Sequence, residues 1–491
     1  MQSEKSGIFE NAVKNIVIFG GGTYGRNVFD VLHYLAIPAY AVTDNHHSDI
    51  AWLKSTGIPY IAPQKLQRIE NLLVIIAMKN DIEEVRAQLH DFRISDEHIM
   101  SYADVMNRLG VKLAEEESEK ISHHLTDYYD DAALQVLFDN QIYTMQRFGG
   151  ISRYYYELMH GITEHSNVQA DFCNCFCKSE FDFSTIAPQY RYYHETRGDL
   201  PLAAVTFTSQ KLLHDLTQNR TYDIYHPSYY QDFHITAAKH LIVTVHDMIY
   251  ELILHQEEMD GGKRSLLERA DAVIAVSENT KKDLVSYYHY DPAKVFVIYE
   301  AASVPQNPGA KAVIPEKYIL YVGQRGGYKN FEGLLRAFAQ STYRNDVILV
   351  AYGGGNFSDG ELRMIDELGL SENVRHITGD MQLMANLYAY AEAFIYPSQY
   401  EGFGIPILEA MHYGAPVLTA DVSSMPEVGG NAAVYFNPYD IESMKNAIDR
   451  VLENSELRAH LSKLSIEREK LFSWEKCARQ TLKLYHMVAG K

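Results

Sequence analysis

The sequence predicts an α/β chain of three doubly wound units: one at the N-terminus, and two more that face each other from either side of a proline-rich joint. Three observations carry this. The chain opens on NIVIFGGGTYGRNVFDVLHYL, an apolar run, a glycine cluster and then a helical pattern. From about Leu134 onward, strand-like and helix-like stretches alternate twice over. Between the two rounds lies PQNPGAKAVIPEKY, with three prolines and small residues, which reads as a hinge. At 491 residues the chain is also too long for one ordinary core.

In the first unit, residues 1–110, AYAVTDN gives a second strand ending at Asp44 and NLLVIIAMKN a third. Gly20, Gly22 and Gly25 satisfy G-x-G-x-x-G, with Asp44 about 20 residues on, where a ribose-binding acid is expected. The turn either binds a nucleotide, as a second nucleotide site, or serves only to dock something. Residues 111–132 begin with VKLAEEESEKISHH, good helix formers with many charges, and predict a solvated helical linker. The next unit, 133–304, carries LQVLFDN, DIYHPS, LIVTVHD, AVIAVS and VFVIYE as strands. The third, 305–475, carries YILYVG, DVILVAYGG, AFIYPS and APVLTAD, and a helix over 476–491 ends the chain. Two such units joined by a hinge form a cleft, and ligands bind in clefts. Within the second unit, Cys173, Cys175 and Cys177 alternate as on one face of a strand, without the pairing of a zinc site, and no metal is expected.

Composition narrows the function. A hydrophobic content of 46% and a charged content of 22% belong to a folded, soluble protein. A formal net charge of -20 repels phosphate backbones, so nucleic acid is not expected as a partner. The N-terminus has no apolar leader and no stretch approaches a membrane span, which places the protein in the cytoplasm.

The chemistry concentrates in EGFGIPILE, residues 401–409. AFIYPSQY ends a strand just before it, so Glu401 falls in a loop at the carboxyl edge of a sheet, where such sheets bind ligands. Pro406 suits a first helical turn, so a helix starts near Ile405 and holds Glu409 one turn in. Gly402 and Gly404 let backbone N–H groups approach a ligand, and the helix N-terminus favours an electron-rich one. Two carboxylates there need hydroxyl-rich or cationic partners, and a sugar nucleotide supplies hydroxyls at both ends of a diphosphate. The bland alternative is a pair of surface charges flanking a helix cap. Against it, YVGQRGGYKNFEGLL sets Arg325 and Lys329 in another glycine-bearing strand-to-helix turn, suited to neutralise a departing diphosphate. QRFGGISRYYYEL puts Gly149 and Gly150 before a helix, and TVHDMIYE puts His246 and Asp247 at a strand end.

Together these stretches, with ADAVIAVSENTKKDL and MPEVGGNAAVYFNP, resemble the retaining glycosyltransferases of family 4, which have the GT-B fold, and more closely their bacterial O-antigen and capsule mannosyltransferases. The likeness covers roughly residues 134–491. The first unit resembles the small Rossmann-like domain fused to sugar-modifying enzymes. The resemblance implies two Rossmann-like halves facing a cleft, with the last helix packing back on the N-terminal half. It implies that Glu401 and the amides of Phe403, Gly404 and Ile405 hold the donor sugar, that Glu409 holds the ribose, and that Arg325 and Lys329 bind the diphosphate. Gly149 and Gly150 would approach that diphosphate from the other half, with His246 and Asp247 against the transferred sugar. One departure stands out: Gln324 follows the strand-end glycine, where the family often has Arg. The implied reaction is a metal-independent transfer of a hexose, mannose from GDP-mannose, to a bacterial glycan acceptor that is lipid-linked, with peripheral contact to the inner face of the membrane and to other glycan-assembly enzymes. A UDP-sugar donor, a non-catalytic sugar-nucleotide binder and an NAD-linked oxidoreductase led by GGGTYG are the alternatives.

Overall fold

The computed structural model describes residues 15–46, 50, 52–78, 81–122, 132–164, 167–172, 179–183 and 202–491. Cys173, Cys175 and Cys177 lie outside the described residues. Three sheets organise the chain. The first holds β1 (Asn15–Phe19), β2 (Ala39–Thr43), β3 (Leu72–Ile76) and β4 (Ile99–Ser101) in the order β2-β1-β3-β4, all parallel. The second holds β5 (Leu134–Phe138), β6 (Val168–Phe172), β7 (Tyr222–His226), β8 (Ala238–Val245), β9 (Ala272–Ala275) and β10 (Val295–Val297), in the order β10-β9-β8-β7-β5-β6. The third holds β11 (Tyr318–Val322), β12 (Ile348–Tyr352), β13 (Val374–Ile377), β14 (Ala393–Tyr396), β15 (Val417–Ala420) and β16 (Ala433–Phe436), in the order β13-β12-β11-β14-β15-β16, all parallel. Every residue of β11, β12, β14 and β15 is buried, as expected of parallel strands covered on both faces.

By its internal contacts the chain divides into two compact units. One comprises Met1–Ser152, Gln169–Tyr222 and Phe233–Ala238; the other comprises Arg153–Val168, Asp223–Asp232 and Lys239–Lys491.

In the first unit, the structure corrects the expected solvated linker. A single helix, Tyr102–Ser122, runs through Gly110 and packs along the helix Leu202–Thr217. Val105, Met106, Leu109, Leu113 and Ala114 recur at helical spacing and are buried. A Cβ on Gly110 would lie 2.7 Å from that of Phe207, so glycine sets how closely the two helices approach.

In the second unit, the proline-rich stretch is tied down rather than free. Asn386, on the helix Met381–Tyr390, donates to the carbonyls of Pro308 and Lys311 and accepts from the N–H of Val313, all at 2.9 Å. Tyr413 and Tyr390 donate to the carbonyls of Pro305 and Gly309. The last helix, Trp474–Ala489, packs by Ala478 against Gly161 of the helix Gly150–Thr163, and its Tyr485 hydroxyl lies 2.5 Å from His226 Nδ1 on β7. Among the described residues, no helix is long and apolar enough to cross a membrane.

Candidate functional site

The site forms where two neighbouring strands of the third sheet end. β11 passes at Gly323 into a turn that closes with one 3-10 turn, Gly327–Lys329, before the helix Phe331–Gln340. β14, hydrogen-bonded beside β11, passes into residues 397–404 and then the helix Ile405–His412. Asn330 stitches the two loops together by donating to the carbonyls of Pro397 and Pro438. These loops bring Lys329 Nζ to 2.7 Å from Glu401 Oε1. Burial by itself pulls the Lys329 pKa down, but the Glu401 carboxylate, with Tyr396 and Tyr328 beside it, outweighs burial and holds the amine well above its ordinary value. Lys329 therefore keeps its charge throughout the neutral range.

The backbone of Glu401 is fixed as firmly as its side chain. Its N–H donates to Ser423 Oγ at 3.0 Å, and the buried Ser424 hydroxyl lies 2.9 Å from the Glu401 carbonyl and 2.8 Å from that of Phe403. Gly402 allows no substitute: a Cβ there would lie 1.7 Å from the His246 carbonyl oxygen. Its own carbonyl accepts from Ser277 Oγ at 2.6 Å and Thr280 Oγ1 at 3.0 Å, at the start of the helix Glu278–Tyr288. Gly404, at φ +108, caps the helix Ile405–His412. Phe403 points its ring into the core, beside Tyr299 and Phe472, and leaves only its backbone to the site.

His246 ends the run from β8, 7% exposed, with Nδ1 3.0 Å from Glu300 Oε1. In the neutral ring, a carboxylate oxygen that accepts at Nδ1 sets the proton there and leaves Nε2 its lone pair. That Nε2 is buried and has no hydrogen-bond partner among the described residues. Glu409 accepts from the Tyr388 hydroxyl at 2.9 Å, and burial raises its carboxyl above the ordinary value.

Three expected residues sit differently. Arg325 does not join Lys329: its side chain is 4% exposed and bound to Glu361 and to the carbonyls of Gly353, Gly355 and Asn356, because it turns under the loop after β12. Gln324 is the exposed one. Asp247 accepts from the N–H of Ile249 at 3.0 Å, just ahead of the short helix Ile249–Leu252. Gly20, Gly22 and Gly25 do form the turn into the helix Thr23–Tyr34, but Asp44 is engaged there by the chain itself. Its two oxygens accept from the N–H groups of Gly21 and His46, both at 2.8 Å, while the Trp52 indole donates to the Gly21 carbonyl. Gly149 and Gly150 stand at the start of the helix Gly150–Thr163, as expected from sequence.

Ser423, Ser424, Ser277, Thr280 and Glu300 were not foreseen. The first two adjoin MPEVGG and the next two lie in SENT, both already quoted for other reasons; VIYE gave no sign that its glutamate faces a histidine. Among the described residues, no cluster of His, Cys, Asp and Glu could hold a metal ion.

A doubly wound sheet with a cation-carboxylate pair at its carboxyl edge is the arrangement expected of a glycosyltransferase of the GT-B fold. Comparison with known proteins agrees. The Glycosyltransferase Family 4 profile matches residues 148–303 and the Glycosyl transferases group 1 profile residues 309–468. O-antigen chain mannosyltransferase B of Escherichia coli is 30% identical over 288 residues, spanning 54% of this chain and 74% of that protein. The serotype-specific mannosyltransferase WbdA of Escherichia coli is 29% identical over 234 residues, 44% of this chain but only 29% of WbdA. Among solved structures, sucrose-phosphate synthase from Thermosynechococcus elongatus superposes with a TM-score of 0.59 at 20% identity, covering 72% of this chain and 98% of that one. Anabaena HepE in complex with UDP-glucose superposes with a TM-score of 0.56 at 16% identity, covering 72% and 99%. The chain belongs to the family 4 glycosyltransferases.

Proposed function

We propose that this chain transfers mannose from GDP-mannose to a growing bacterial surface glycan, with retention at the anomeric carbon and without a divalent metal. The observation that carries the reading is the Lys329–Glu401 pair, held at the carboxyl edge of the third sheet by glycine-bearing loops. In the transfer, the bond from the anomeric carbon to the diphosphate oxygen breaks and a bond to the acceptor hydroxyl forms on the same face. The acceptor's proton leaves with the diphosphate. Lys329 then supplies the charge that meets the departing anion, at a place where water is scarce and the charge counts for more. Glu401 and the amides of residues 403–405 orient the sugar hydroxyls, His246 Nε2 accepts from one of them, and Glu409 holds the ribose. The resemblance also keeps Gly149 and Gly150 for the diphosphate.

The two Escherichia coli relatives named as mannosyltransferases favour mannose; the lipid-linked acceptor, the cytoplasmic place and the peripheral membrane contact rest on the resemblance read from the sequence. The UDP-glucose bound to HepE keeps a UDP-sugar as the second reading of the donor. A screen of nucleotide sugars in chelator decides: release of GDP from GDP-mannose, with the anomeric configuration kept in the product, supports the proposal. Turnover only with a UDP-sugar replaces the donor, and turnover with none of them removes the function.

A further inference from the structure

We propose that Arg325 is a positioning residue that folds Gly353–Asn356 into a nest of backbone N–H donors for acceptor oxygens of the donor nucleotide, an inference that rests on the function proposed above. The guanidinium is almost fully enclosed and carries five N–H donors, of which four are engaged by the protein. Nε lies 2.7 Å from Glu361 Oε1, Nη1 2.7 Å from the Gly353 carbonyl, and Nη2 2.9 Å from the carbonyls of both Gly355 and Asn356. The Phe357 ring packs on it at 4.9 Å.

Peptide geometry turns this into a statement about the other face of the loop. In a trans peptide, the C=O of one residue and the N–H of the next point in opposite directions, and no peptide bond among the described residues is cis. Three carbonyls drawn inward to Arg325 therefore send the N–H groups of Gly354, Asn356 and Phe357 outward. Successive left-handed residues allow this turn: Gly353, Gly354 and Gly355 have φ of +80, +71 and +75. At Gly354 a Cβ would also lie 2.6 Å from the Gly323 carbonyl and 2.9 Å from Arg325 Nη1. Outward N–H groups on such a turn make a concave seat for negative or carbonyl oxygen. Its place is apt, since β12 pairs with β11 and the nest lies at the carboxyl edge beside the turn that carries Lys329.

Glu361 supplies the test, because the two roles open to Arg325 give opposite signs. If Arg325 is a phosphate clamp held back by a carboxylate, Glu361→Gln frees it and removes a nearby negative charge, so a nucleoside diphosphate binds more tightly. If Arg325 is a scaffold, the same change loosens the nest and binding weakens. Gln preserves the helix start, where Glu361 Oε2 accepts from the N–H and hydroxyl of Ser358 in a capping box. Calorimetry on the full-length protein with GDP, UDP, guanosine and inorganic pyrophosphate reads affinity without turnover. We expect Glu361→Gln to weaken GDP several-fold and Arg325→Lys, which keeps charge but loses the fork, by roughly tenfold, or about 1.4 kcal/mol. Loss that extends to guanosine assigns the nest to a nucleobase carbonyl; loss that extends to pyrophosphate assigns it to phosphoryl oxygen. Tighter GDP binding by Glu361→Gln overturns the proposal, as does unchanged affinity in Glu361→Gln, which decides the matter even if Arg325→Lys does not fold. A wild-type chain that binds neither GDP nor UDP fails the proposed function itself.

Discussion

Lowering the pH from 7.5 to 5 should destabilise this protein through one residue, His226. Its imidazole is fully buried, with Nδ1 2.5 Å from the Tyr485 hydroxyl and Nε2 2.8 Å from Thr244 Oγ1. Burial, and after it the nearby His246, pushes its pKa down from 6.5 to about 3. In the folded state the ring stays neutral; in the unfolded state it takes a proton below 6.5. The unfolded chain then binds more protons, so the stability present above pH 6.5 is lost as the pH falls. One pH unit of such linkage is worth about 1.4 kcal/mol, which gives a loss of about 2 kcal/mol at pH 5 and a ceiling of about 5 kcal/mol at still lower pH. Other groups titrate over the same range, so the quantity to measure is a difference. Urea midpoints of the wild type and His226→Asn, taken at half-unit steps from pH 7.5 to 5, should show the wild type's advantage shrinking by about 2 kcal/mol. A difference that stays flat with pH would refute the argument.

Glu401→Gln keeps size and hydrogen bonding but leaves the enclosed Lys329 amine without its counter-charge; we expect a folded protein whose turnover falls by roughly 10² or more, and near wild-type turnover would take Glu401 out of the site. Glu409 has its pKa raised by burial, so its contribution to stability falls as pH rises through that value. Glu409→Gln should therefore melt higher than wild type at pH 7.5, with the gap closing toward acid, while donor affinity drops; an unchanged melting temperature and unchanged KM would count against a buried ribose ligand. In Glu300→Gln the amide can offer N–H to His246 Nδ1 and drive the proton to Nε2, so kcat should fall and its pH profile should move while the melting curve does not; a fall in melting temperature alone would make Glu300 structural. Finally, a chain starting at Ile121 should aggregate, because it exposes the face of Leu202–Thr217 on which the helix Tyr102–Ser122 packs at Gly110, whereas one starting at Tyr102 keeps that face covered and should be the more soluble. Equal behaviour of the two truncations would show that the helix pairing contributes nothing.

Much of this protein was legible in its sequence because the signals are local. NIVIF, YILYV and AFIY read as buried strands from their own composition, and Pro406 places a helix start near Ile405, where Ile405–His412 begins. Lys329 and Glu401 were both named, since each stands in a glycine-bearing turn at a strand end. Helix Tyr102–Ser122 escapes a local reading because its apolar stripe begins at Val105, ahead of the charged run from residue 111, and only Leu113 and Ala114 of that stripe fall within the run.

The sequence by itself determined the order of strands and helices, the glycine-bearing turns and the family, because period, caps and turn residues act over a few positions of the chain. Which of those turns faces a ligand was decided only by the tertiary structure. Arg325 and Lys329 stand four residues apart in one turn, yet one reaches Glu361 and the loop after β12 while the other reaches Glu401 beyond β14. Asp44 lies at the expected distance from its glycines, yet the amides it meets are the protein's own. A charged side chain goes to whichever partner the neighbouring strands bring within about 3 Å. The order of strands in a parallel sheet is a property of the folded chain that no local window contains.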